Sequence, residues 1–152
     1  MTVIHPRPLA RAVFAMLTMT ALPAAAADLT KQEPVTVTIR LGGMEGQHRF
    51  TPDLLTLEAG KLYTLRLENA GTQPYYFGSP GLADAVYTRK VVAKDAAGKV
   101  VAEIYGPVRR IEISAGHTVE WWFLPVRTGR FDDVTSTKKL AEAGMRATIE
   151  VK

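Results

Sequence analysis

Carboxylates and imidazoles are the strong metal donors this chain of 152 residues can offer, because it contains no cysteine. Asp132 and Asp133 sit side by side in Phe131-Asp132-Asp133-Val134-Thr135. Residues two apart on a strand share a face, so an inward Phe131 carries Asp133 and Thr135 inward with it. An inward carboxylate is costly unless it is paired or bound to a metal. Carboxylate and hydroxyl oxygens are hard ligands, suited to Fe(III) or Mn rather than Cu(I). The other reading ends the strand at Phe131 and leaves both aspartates solvated beside Arg130, Lys138 or Lys139. His48 follows Met44-Glu45-Gly46-Gln47, and His117 closes Ala115-Gly116-His117. Both flank predicted turns, where a histidine is either a ligand or a solvated side chain. Met44 with His48 is a chemically possible copper pair. There is no recognisable Ser/His/Asp order, cysteine nucleophile, phosphate-cradling glycine loop or His-x-x-x-His, so an enzyme is the least supported class.

These residues need elements to hold them, and the chain divides early. His5, Arg7 and Arg11 give a basic start, residues 12–22 form an apolar run, and Ala24 to Ala27 supply small residues before Asp28. That is the anatomy of a secretory signal peptide, with cleavage expected after Ala27 and a periplasmic product. The apolar run is well short of the roughly 20 residues needed to span a bilayer. Residues 28–152 then form a single domain, a common domain length. The whole chain has 19 basic and 15 acidic residues. Without Arg7 and Arg11 the excess narrows further, and no Lys/Arg run suggests a nucleic-acid partner.

Strand signals recur along this domain. Residues 35–40 (VTVTIR) alternate clearly, and 54–57, 62–67, 86–92, 100–103, 111–113, 119–123, 130–134 and 147–151 follow. Gly71, Pro80-Gly81, Gly106-Pro107, Ala115-Gly116, Gly129 and Gly144 mark turns between them. Short helical turns are predicted at 82–87 and 138–143. Many short strands without disulfides read as an all-β, antiparallel sandwich. Trp121 and Trp122 are adjacent, so one enters the core and the other faces out.

From Phe50 onward a set of phrases appears in order: Phe50-Thr51-Pro52, Leu57-x-x-Gly60-Lys61, Leu65-x-Leu67-x-Asn69, Ile111-Glu112-Ile113-x-Ala115-Gly116, Glu120-Trp121-x-Phe123-x-Pro125-Val126, Gly129-x-Phe131 and Glu142-Ala143-Gly144-Met145. In these the chain resembles the small periplasmic cupredoxins. The resemblance implies a cupredoxin-like Greek-key β-sandwich of about seven to eight strands. It also implies a copper site of two histidines, one cysteine and an axial methionine. Carried over by that family's spacing, the methionine is Met145, but the second histidine falls on Leu140 and the cysteine on Thr135. The first histidine falls on Tyr75, or one register away on Tyr76. A blue copper centre needs the thiolate and is therefore excluded.

Two functions stay open. One is copper or iron handling at a non-blue site built from Met145, Asp132, Asp133, His48, His117 or Tyr75. The Asp-rich strand end resembles cupredoxin-like domains of bacterial periplasmic iron-uptake systems, implying a periplasmic or membrane metal-transport or redox partner. The other is a metal-free docking subunit using Trp122, Tyr75 and Tyr76 as contact residues. The resemblance makes Trp121 and Phe123 the inward pair, leaves Trp122 exposed or at an edge, and gathers Tyr75, Tyr76 and Tyr87 around the former copper pole.

Overall fold

The computed structural model describes residues 31–43 and 46–152. The expected signal peptide and Met44 lie outside the described residues. Eleven strands and two short helices follow one another: β1 (Val35–Leu41), β2 (Phe50–Thr51), β3 (Leu54–Leu57), β4 (Tyr63–Asn69), β5 (Tyr75–Gly78), α1 (Pro80–Ala83), β6 (Val86–Lys94), β7 (Val100–Ile104), β8 (Arg110–Ile113), β9 (Thr118–Pro125), β10 (Gly129–Thr135), α2 (Lys138–Glu142) and β11 (Arg146–Val151). Every segment with a strand signal forms a strand. The two additions, β2 and β5, escaped because β2 has two residues and β5 buries Tyr75, Phe77 and Gly78 without alternating.

The strands form a six-stranded sheet, β2-β1-β4-β9-β6-β7, and a five-stranded sheet, β3-β11-β10-β5-β8. The sandwich is not purely antiparallel as expected: β1 runs parallel to β4 and β3 parallel to β11. Periodicity marks which face a residue takes but carries no strand direction, so these pairings had no signal. β9 alternates strictly, turning Val119, Trp121, Phe123 and Pro125 inward. Between the sheets Ile39, Leu41, Leu65, Leu67, Phe77, Trp121, Phe123 and Ile149 belong to one buried apolar core. Each such side chain contributes about 1.5–3 kcal/mol on burial. Trp121 satisfies its indole by donating Nε1–H to Thr88 Oγ1 at 3.1 Å.

The first predicted helical turn begins earlier than expected. Ser79 Oγ accepts from the Leu82 N–H, and Pro80 occupies the first helical position, where its missing N–H costs nothing. Val86 is then free to start β6.

One end of the sandwich is tied together by Asn69. Its Nδ2 donates to the carbonyls of Gln73 and Ile113, both at 2.8 Å, and its Oδ1 accepts from the Gly71 N–H at 2.9 Å. Its backbone joins the 114–117 turn through the Gly116 N–H and the His117 carbonyl, and the Ala70 N–H reaches the Leu41 carbonyl. Three loops are thereby held at one pole.

Candidate functional site

At the Asn69 pole β5 opens with Tyr75, opposite Ile113 on β8. Tyr75 is only 1% exposed, which corrects its expected role as a partner contact. Its ring passes through a slot between two glycines: a Cβ on either Gly42 or Gly71 would stand 2.5 Å from Tyr75 Cε2. Gly42 also has φ of +74°, a backbone conformation that favours glycine. The Tyr75 hydroxyl emerges beside His48, with Oη and Nδ1 2.7 Å apart and the rings edge to face at 5.8 Å. His48 itself is exposed.

Beside this pair lies a shallow groove of about 420 Å³, lined by His48, Gln73, Pro74, Lys139 and Leu140 among others. Leu140, where the family resemblance puts the second histidine, is half-buried and lines the groove from α2. Met145 is fully buried in the core, and its backbone N–H donates to the Leu140 carbonyl at 2.8 Å. Thr135 is half-buried at the end of β10, opposite Gly78 on β5 and Arg146 on β11.

The aspartates lie elsewhere and face differently from expectation. The β10–β11 register shifts between Phe131 and Val134, so Phe131 and Val134 both turn inward and the simple alternation through Asp133 fails. A bulge adds a residue to one strand and resets the faces beyond it. Asp133 is half-buried and closes α1, accepting from Ser79 Oγ and from the Gly81 N–H, each at 2.6 Å. Asp132 is exposed, accepts from Thr148 Oγ1 at 2.7 Å and pairs with Arg130 at 3.0 Å. That hydroxyl, and secondarily the Arg130 guanidinium, hold the Asp132 carboxyl below the usual aspartate range.

His117 shares the Asn69 pole, but its Nδ1 lies 3.0 Å from its own turn's Ala115 carbonyl. Among the described residues no group of three or more His, Cys, Asp and Glu is placed to hold a metal ion. Tyr76, one register on, faces the other way: its hydroxyl bonds Glu112 Oε2 at 2.7 Å, and Arg110 lies over its ring at 4.3 Å. That carboxylate bond raises the Tyr76 phenol above its ordinary range.

Trp122 is half-buried, not at an edge, because β9 is flanked by β4 and β6. Lys90 Nζ lies 5.0 Å from its ring centre, and its Nε1 is buried without a hydrogen-bond partner among the described residues. Tyr87 is not at the Asn69 pole. It pairs with Leu124 at the start of β6, whereas the other end of that strand, Lys94, faces Thr118 beside His117.

Asn69 is the residue that ligand-type reasoning passed over. Its hydrogen bonds tie the loops of this pole together, and its place closing the Leu65-x-Leu67-x-Asn69 phrase was the signal available.

No protein-family model and no curated protein matches the sequence. Solved structures do. Auracyanin A, a "blue" copper protein from the green thermophilic photosynthetic bacterium Chloroflexus aurantiacus, aligns with a TM-score of 0.51 and 20% identity, over 79% of this chain and 100% of that one. A multicopper oxidase from Campylobacter jejuni aligns at 0.58 and 14% identity, over 80% of this chain and 31% of that one. Copper nitrite reductase from Nitrosomonas europaea aligns at 0.50 and 17% identity, over 65% and 32%. This chain thus spans about a third of the length of the oxidase and reductase chains. The chain has a cupredoxin-like fold, and its structural neighbours are copper proteins. Among the described residues no helix is long and apolar enough to cross a membrane.

Proposed function

We propose that this chain is an exported cupredoxin-like protein that handles a copper or iron ion at its Tyr75–His48 pole, without a blue copper centre. One observation carries the reading: a phenol oxygen and an imidazole nitrogen stand 2.7 Å apart at the place the family resemblance assigns to the first copper ligand. The donor set does not fit type 1 copper, which requires a thiolate the sequence lacks. Phenol and imidazole suit Cu(II) or Fe(III), and so small a set favours weak, exchangeable binding over storage. Asp132 and Asp133 are left out of the site because their oxygens are engaged by Thr148, Arg130, Ser79 and the Gly81 N–H. The partner on this reading is a periplasmic or membrane metal-transport or redox protein.

Calorimetric titration of the purified chain with Cu(II) and with Fe(III) tests it. Binding at micromolar metal is expected, lost in His48→Ala and weakened in Tyr75→Phe, with no intense thiolate-to-copper absorbance. No retention of either metal, or retention indifferent to both substitutions, removes the reading.

A second reading is favoured by the slot between Gly42 and Gly71. There the Tyr75 ring fills the pole from within, as suits a metal-free docking subunit. The same titrations decide between them.

A further inference from the structure

Away from the Asn69 pole, β6 loses one of its neighbours. The β6–β7 ladder covers Val91 to Lys94 only, while Val86 to Thr88 and Lys90 pair with β9 on the other side, with Arg89 at a register shift between them. Beyond Ile104 the chain continues through Gly106, at φ of +130°, and Pro107. A cleft of about 460 Å³ opens there, lined by Val86, Tyr87, Arg89, Tyr105 and Pro107 among others. The outer edge of this half of β6 therefore presents main-chain donors and acceptors with no strand beside them, a ready template for an added strand.

The side chains around that edge have the composition of a contact surface. Tyr87 is 67% exposed, Tyr105 72% and Val126 62%. Tyrosine and arginine are enriched at the centres of protein interfaces. Arg89 and Arg127 are exposed and form no side-chain hydrogen bond or ion pair among the described residues. Arg127 hangs from the Ala85 carbonyl, one residue before β6, through its backbone N–H at 3.2 Å. Arg109 is matched by Asp84, and Lys90 by Glu103. The unmatched charge at this end is therefore positive.

We propose that the free edge of β6 at residues 86–90 receives an extended, acidic segment of a partner protein as an added strand. Its main chain continues the sheet. Its carboxylates face Arg89 and Arg127, and its apolar side chains lie on Tyr87 and Tyr105. The surface is separate from the Tyr75–His48 pole and does not depend on a metal there.

A random-peptide display library selected on the purified chain tests this, followed by amide-shift mapping with the best synthetic peptide. Enriched peptides are expected to alternate apolar residues with Asp or Glu, and to shift the amides of Tyr87, Arg89, Tyr105 and Gly106. Arg89→Glu is expected to weaken that peptide at least tenfold, and a version with Lys in place of its acids to recover binding to this variant. Tyr105→Ala, at an exposed position, is expected to weaken binding while leaving thermal unfolding unchanged. No enrichment, enrichment of neutral or basic peptides, shifts confined to other strands, or an Arg89→Glu variant that binds as the parent each overturns the proposal.

Discussion

Tyr75 Oη and His48 Nδ1, 27 positions apart in sequence, stand 2.7 Å apart in space. The phenol is held in the slot between Gly42 and Gly71, whereas the imidazole reaches the surface. The contact joins the loop after β1 to the first residue of β5, so it couples the groove to the core.

A neutral hydrogen bond of this kind contributes about 0.5–1.5 kcal/mol. Because an exposed imidazole regains water when the phenol is removed, Tyr75→Phe is expected at the low end of that range. A double-mutant cycle with His48→Ala, read by urea unfolding without metal, is expected to give a coupling of about 0.5–1 kcal/mol. A coupling indistinguishable from zero means the two groups do not interact in solution.

Gly71→Ala places a methyl group 2.5 Å from Tyr75 Cε2. Overpacking of this kind costs about 1–3 kcal/mol, and that cost should largely vanish in a Tyr75→Ala background. Gly42→Ala makes the same clash, but φ is +74° there. It should therefore retain a penalty of about 1–2 kcal/mol even when the tyrosine is gone. Chemical denaturation of the four variants separates the two causes. Equal behaviour of the two glycines in the Tyr75→Ala background contradicts the assignment.

Asp133→Ala leaves Ser79 Oγ and the Gly81 N–H without their acceptor. Hydrogen bonds to a charged group contribute about 1.5–3 kcal/mol each. For this half-buried pair a total loss of about 2–3 kcal/mol is expected, and less for Asp133→Asn, which keeps one acceptor oxygen. Metal titration of Asp133→Asn should match the parent protein. A selective loss of iron binding would return Asp133 to the list of ligands.

Acid stability should carry a signature from Asp132. Its carboxyl is held below the usual range by the Thr148 hydroxyl first and by Arg130 after it. A carboxylate whose folded pKa is depressed adds stability above its unfolded value, about 3.9, and loses it as pH falls through the lower folded value. Thr148→Val should move the Asp132 titration, followed by carboxyl carbon NMR, up towards the ordinary range and flatten the acid limb below about pH 4. An unmoved titration shows that the hydroxyl is not the cause.

Much of the fold was legible along the chain because strand periodicity is a local property. Val35, Val37 and Ile39 in β1 and the strict alternation of β9 each mark a face without reference to any partner. The absence of cysteine settled the exclusion of blue copper, since folding cannot supply a thiolate that no side chain carries. The replacements at Tyr75, Thr135 and Leu140 came from the family resemblance and the order of its phrases. What Tyr75 does there depended on Gly42 and His48 in the loop after β1 and on Gly71 in the loop after β4, segments far apart along the chain.

Tertiary structure alone decided the rest. Alternation sent Asp133 inward with Phe131, but a register shift against β11 intervened, and a shift is a property of two strands rather than one. Adjacent tryptophans divide between core and surface by geometry, yet Trp122 is half-covered because β4 and β6 flank its strand. The parallel pairs β1–β4 and β3–β11, and the bare edge of β6, follow from which strands meet across the chain. Sequence determined the apolar faces and the available donor chemistry, because both reside in individual side chains. The structure decided which donors meet and which edges stay open, because long-range contacts have no local signal.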